Sequence, residues 1–85
     1  MTSVTAKDQK DNTAVLTGEG LKVSDKDGNS LTQHATEIRL HDATKSATDT
    51  TTDVVLNKQG LQNGGHTSTG VAKGAEGAGS EGAIS

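Results

Sequence analysis

The chain has 85 residues, a formal net charge of −3 and 28% hydrophobic residues, with no aromatic residue, no Cys and no Pro. That length allows one domain at most, and 14 large aliphatic side chains are too few to fill the core of a compact monomer. The basic residues number eight and are scattered in a mildly acidic chain, which excludes a nucleic-acid-binding surface, and no apolar run approaches the length of a membrane span.

Two outcomes follow from this composition. The chain is disordered by itself, as low hydrophobicity favours, or it is a segment of an elongated oligomer in which copies share one thin core. The abundance of Thr and Val, both strand formers, speaks for order of the second kind.

In chain order, residues 1–12 form a polar lead-in carrying Lys7, Asp8, Lys10 and Asp11, and Met1–Lys10 lacks the apolar stretch of a signal peptide. Residues 13–42 form two strand-turn units. In the first, Thr13-Ala14-Val15-Leu16-Thr17 is followed by a Gly18-Glu19-Gly20 break. Leu21 and Val23 then alternate with Lys22 and Ser24, the period-two signature of a half-buried strand.

Asp27-Gly28 is a hairpin turn signal. Asp25, Asp27 and Asn29 also have the spacing that opens a calcium loop, but Ser30 stands where Gly is needed and Thr36 where the bidentate Glu is needed, so the segment reads as a turn. The second unit runs from Ser30 to Leu40. Ile38 and Asp42 are four apart and allow a short helix there, but Ile38 and Leu40 repeat the spacing of Leu21 and Val23, which favours a strand.

Residues 43–53 read as a linker rich in Thr, Ala and Asp. Residues 54–74 form the stretch around which the chain is organised: Val54-Val55-Leu56, a break at Gly60, Leu61, a Gly64-Gly65 turn, then a Thr-rich segment to Val71-Ala72. Residues 75–85 form a Gly/Ala/Ser/Glu tail expected to be flexible.

The units repeat. A shift of 17 carries Leu21, Val23 and Asp25 onto Ile38, Leu40 and Asp42. A shift of 40 carries Ala14-Val15-Leu16 onto Val54-Val55-Leu56 and Gly20-Leu21 onto Gly60-Leu61. No unit can bury its apolar face alone, and such units gain stability by stacking on neighbours or on identical chains.

Little points to chemistry. His34 and His41, seven apart, lack the spacing of a zinc pair. The Ser, Thr and Asp residues form no recognisable nucleophilic set, and the glycines do not follow a strand into a helix, as a phosphate-cradling loop requires. No catalytic, cofactor-binding or metal-ligating residue is assigned, no cofactor is expected, and the chain reads as a non-enzyme.

The stretch Asn57-Lys58-Gln59-Gly60-Leu61-Gln62-Asn63-Gly64-Gly65, with Thr69, Val71-Ala72 and Gly74, resembles the head-to-neck segment of trimeric autotransporter adhesins, the YadA-like family. Leu21-Lys22-Val23-Ser24-Asp25-Lys26-Asp27-Gly28-Asn29-Ser30 is similar to the strand-and-turn repeats upstream of such necks, so the likeness spans Thr13 to Gly74. The chain departs from the pattern at Ser68, where the family has a large aliphatic, and in running Glu76-Gly77-Ala78-Gly79-Ser80-Glu81 where the family leads into a coiled-coil stalk.

The resemblance implies a mainly β fold, an elongated and interlocked homotrimer of short strands and glycine turns with flexible ends. Val54, Leu56, Leu61 and Val71 would face the trimer core. It implies a fragment of a virulence-associated protein of the bacterial outer surface that attaches to host cells, extracellular matrix or other bacteria. The absence of Cys fits such a surface protein. His66-Thr67-Ser68-Thr69-Gly70 also resembles the His-x-His-x-Gly tip of phage baseplate spikes, but Ser68 replaces the second His and no metal is assigned there. A trimeric phage tail component, or a non-folding adhesin remnant, is the alternative expectation.

Overall fold

Strand-forming segments and short turns alternate along residues 1–73, which the computed structural model describes. The seven strands are β1 (Ser3–Lys7), β2 (Thr13–Thr17), β3 (Gly20–Ser24), β4 (Ser30–His34), β5 (Glu37–His41), β6 (Val54–Asn57) and β7 (Gly60–Gln62). Each pairs antiparallel with its neighbour in sequence, so one sheet runs β1 to β7 without a crossover. No helix occurs among the described residues.

The radius of gyration is 16.5 Å, against about 12 Å for a compact chain of this length. A seven-stranded meander that does not fold back on itself accounts for that elongation.

The connections alternate between two kinds. At one end of the sheet, β2–β3, β4–β5 and β6–β7 are joined by the two-residue turns Gly18-Glu19, Ala35-Thr36 and Lys58-Gln59. At the other end lie two five-residue loops, Asp8–Asn12 and Asp25–Asn29, which are held by the same side-chain bonds. In each, the first Asp accepts through Oδ1 from the backbone N–H groups two and four residues on, at 2.8 and 3.0 Å from Lys10 and Asn12, and at 3.0 and 2.9 Å from Asp27 and Asn29. Its Oδ2 accepts from the closing Asn side chain, at 2.8 Å from Asn12 and 2.9 Å from Asn29. The fourth residue has positive φ, 62° at Asp11 and 91° at Gly28. Both carboxylates are held below their ordinary range, chiefly by these Asn side chains.

The apparent calcium loop is therefore a carboxylate-centred turn whose oxygens both accept hydrogen bonds from the loop itself. Between β5 and β6 the third loop starts alike, with Thr44 N–H donating to Asp42 Oδ1 at 2.8 Å, but residue 46 is Ser and the loop runs on to Asp53. Residues 42–53 thus form a strap between the two strands.

These loops make the repeat visible in space. A shift of 17 carries β2 onto β4, β3 onto β5, and the loop Asp8–Asn12 onto Asp25–Asn29. A shift of 40 carries Ala14–Thr17 onto β6, six residues more than two such steps, and the excess lies in the strap.

The lead-in differs from its sequence reading. Val4 and Ala6 alternate with Ser3, Thr5 and Lys7, and this segment is the edge strand β1, paired through Val4↔Leu16 and Ala6↔Ala14. All five of its residues are exposed, so the polar character is as expected and the extended pairing is what composition hid. Past β7, residues 63–73 contain no strand. The tail 75–85 lies outside the described residues.

Candidate interaction surface

Residues directly opposite in an antiparallel sheet share a face. The pairs Val4↔Leu16, Leu16↔Leu21, Val23↔Leu31, Leu31↔Leu40, Ile38↔Leu56, Leu40↔Val54 and Leu56↔Leu61 therefore place apolar side chains from all seven strands on one face. That face carries no charge. The charged and imidazole side chains of the strands (Lys7, Lys22, His34, Glu37, Arg39, His41) fall on the other, where Lys22 opposes Thr32 and Thr32 opposes Arg39.

The apolar face is partly uncovered, with Leu21, Val23, Leu31, Ile38 and Val54 half-buried. Val4, Leu16, Leu40, Leu56 and Leu61 are 49–64% exposed, and Val55 is the only buried apolar residue among the described residues.

The four core candidates fall into two groups. Val54, Leu56 and Leu61 lie on this face together. Val71 lies outside the sheet and is 45% exposed. Val55 points the opposite way, as its position between Val54 and Leu56 requires in a pleated strand. Sequence reading of the third unit missed the contribution of Leu16, Leu21, Leu31, Ile38 and Leu40 to the same surface. Their alternation was legible strand by strand, but only the register joins them.

The polar face holds an ion cluster centred on Asp53, whose side chain is 1% exposed. Its Oδ2 accepts from Arg39 Nη1 at 2.6 Å and its Oδ1 from His41 Nδ1 at 2.7 Å. Arg39 Nε also donates to Glu37 Oε2 at 2.6 Å. Glu37, Arg39 and His41 are alternate residues of β5 and so project from one face, and Asp53 enters from the end of the strap.

Burial pushes the Asp53 carboxyl up, but the hydrogen bonds from Arg39 and then His41 outweigh it and hold the group below its ordinary value. His41 is raised, first by its hydrogen bond to Asp53. Glu37 is lowered by Arg39, and Arg39 is raised by Glu37 and then Asp53. Sequence reading placed Asp53 in a linker. The repeat offered a signal, because a shift of 40 sets Asp53 on Thr13, at a position on the charged face.

The other histidines stand apart. His34 ends β4 and is exposed. His66 Nε2 donates to the Thr52 carbonyl at 2.8 Å, which ties the segment after β7 to the strap. Asn63 Nδ2 donates to the His66 carbonyl and, at 3.0 Å, to Ser68 Oγ. Among the described residues no three His, Asp or Glu side chains are grouped to hold a metal ion. A groove of about 550 Å³ opens at the two-residue-turn end between Ile38 and Leu56, rimmed by Glu37, Asn57, Lys58 and Gln59.

No family model matches the chain, and no curated protein or solved structure is significantly similar to it.

Proposed function

We propose that this chain is a structural and binding segment of a bacterial surface adhesin of the trimeric autotransporter kind. It assembles as a homotrimer whose apolar sheet faces meet, and it presents its polar faces to host cells, matrix or other bacteria without catalysing a reaction. The observation that carries this reading is the uncharged, largely apolar face with exposed aliphatic side chains on β1, β2, β5, β6 and β7.

Seven strands at about 4.8 Å spacing and five residues at about 3.3 Å give that face roughly 500 Å² in plan. That is the size of the largest apolar patch a monomer typically exposes, and such patches are often functional. Covering it releases roughly 12 kcal/mol per chain at about 25 cal/mol per Å². The same patch on every copy makes the chain its own natural partner, because no like charges oppose one another where the copies meet. Facing sheets about 10 Å apart interdigitate such side chains.

The test is solution mass by light scattering over a concentration series, with far-ultraviolet circular dichroism on the same samples. A mass of three chains with a strand spectrum is expected, and the trimer would then be assayed on immobilised matrix protein and on host cells. A single-chain mass with the strand spectrum retained at high concentration would sink the assembly, and a trimer that binds neither surface would leave the spike-component alternative in its place.

A further inference from the structure

We propose that Arg39, His41 and Asp53 form a proton-operated latch that ties the strap, residues 42–53, to the polar face of the sheet, and that this latch holds more tightly in mildly acidic than in alkaline solution. The strap leaves the sheet at His41 and returns at Val54, and its ends are fixed differently. At the start, Ala43 N–H donates to Asn29 Oδ1 at 2.8 Å, an uncharged bond between neighbouring loops. At the finish, the fastening is the Asp53 carboxylate, which is buried between a guanidinium and an imidazole. Between them the strap is held by short local bonds, such as Asp53 N–H to the Thr50 carbonyl at 3.1 Å and Asp49 N–H to the Ser46 carbonyl at 3.0 Å, and by the His66 imidazole on the Thr52 carbonyl. The finish is the part of the strap that is fastened by a buried carboxylate between two cationic partners.

Arg39 keeps its charge throughout and holds one carboxylate oxygen. His41 holds the other. As a cation it makes a charged hydrogen bond to Asp53, and as a neutral imidazole with its proton on Nδ1 it makes a weaker one. Other charged groups around His41 are Glu37 on its own strand, Asp42, Lys45 and Asp49 on the strap, and Lys22 and Asp27 across the groove beside it. The acids favour its cationic form, as does the Lys45 backbone, which accepts a hydrogen bond from the imidazole, and the lysine ammonium groups oppose it.

The direction follows from linkage. The His41 contribution is complete below its ordinary value of 6.5 and is lost as pH rises through the higher folded value. The Asp53 contribution is complete above its ordinary value of 3.8 and is lost as pH falls through the lower folded value. The latch is tightest between those two ordinary values and loosens on the alkaline side first.

The test is amide hydrogen exchange and imidazole titration by NMR on the full chain in its native assembly. From about pH 5.5 to about pH 8.5, the protection of the Asp53 amide, corrected for intrinsic exchange, is expected to fall about fivefold, the difference between a charged and a neutral hydrogen bond. The Thr32 amide in the middle of the sheet should not change, and the His41 imidazole should titrate above 6.5. In His41→Gln the Asp53 amide should lose this pH dependence. Equal protection of Asp53 at both pH values, or an unchanged dependence in His41→Gln, would overturn the latch. If the variant does not fold, a His41 midpoint at or below 6.5 in the native protein overturns it alone.

Discussion

Single residues of this sheet are constrained mainly by backbone approach. Gly20 opens β3 with φ +143°, and a Cβ there would lie 1.8 Å from the Gln33 carbonyl oxygen. No side chain rotates to relieve that contact, since the obstacle is the neighbouring strand. Gly20→Ala is therefore expected to destabilise the protein by on the order of 3 kcal/mol, read from chemical denaturation, with Gly18→Ala as the mild control. Gly18 has nothing within 4 Å of the added carbon. Thr52 makes the opposite case. Its hydroxyl is buried with no hydrogen-bond partner, while its carbonyl accepts from His66. Thr52→Val keeps the shape and removes the unpaired group, and it should stabilise by about 1 kcal/mol in the same assay. The sequence marks Gly20 as part of a break but not its close approach to Gln33, and it does not mark Thr52, because both effects depend on what another strand or loop places beside them.

At the scale of elements, the hairpins were largely readable and the strap was not. Leu21 and Val23, Ile38 and Leu40, and the glycines after Thr17 and Asn57 mark strands and tight turns by local rules, and β2 to β7 lie where those rules put them. Ser3–Lys7 escaped because its two apolar residues are small and sit among polar ones, and an edge strand needs only one partner. The strap escaped because its short polar residues look the same whether free in water or fastened by Asp53. If the strap is an insertion into a 17-residue repeat, replacing residues 42–52 with Asp-Lys-Asp-Gly-Asn, the loop found at Asp25–Asn29, restores the repeat. That variant is expected to keep the strand spectrum and the β5–β6 amide protection while losing the His66–Thr52 bond, seen as faster exchange after β7. Collapse of the β5–β6 pairing would show that the strap is needed to set the register.

For the whole molecule, the decisive quantity is the distribution of exposed apolar area. Leu56 is 51% exposed on the uncharged face, on the last strand but one, with Ile38 and Leu61 as its cross-strand partners. An aspartate there stays solvated in a monomer and becomes a buried, unpaired charge between copies. Leu56→Asp should weaken self-association by about a hundredfold or more, roughly 3 kcal/mol, and shift the mass from light scattering to one chain. Thr5→Asp, on the polar face of β1, should leave that mass unchanged. Equal behaviour of the two variants would mean that the apolar face is not where copies meet.

The sequence by itself determined strands β2 to β7, the repeat and the impossibility of an ordinary core, because alternation, turn residues and a count of aliphatic side chains are local or additive properties. Only the tertiary structure decided that the alternations are in phase across seven strands, that Val55 faces away from Val54 and Leu56 into the polar side, and that Asp53 is buried between Arg39 and His41. The physical reason is register. A shift of one residue in any pairing would carry a strand's whole apolar set to the opposite face, and the loops that fix each pairing, five residues held by an Asp or two residues at a tight turn, act through hydrogen bonds that residue types suggest and only coordinates locate.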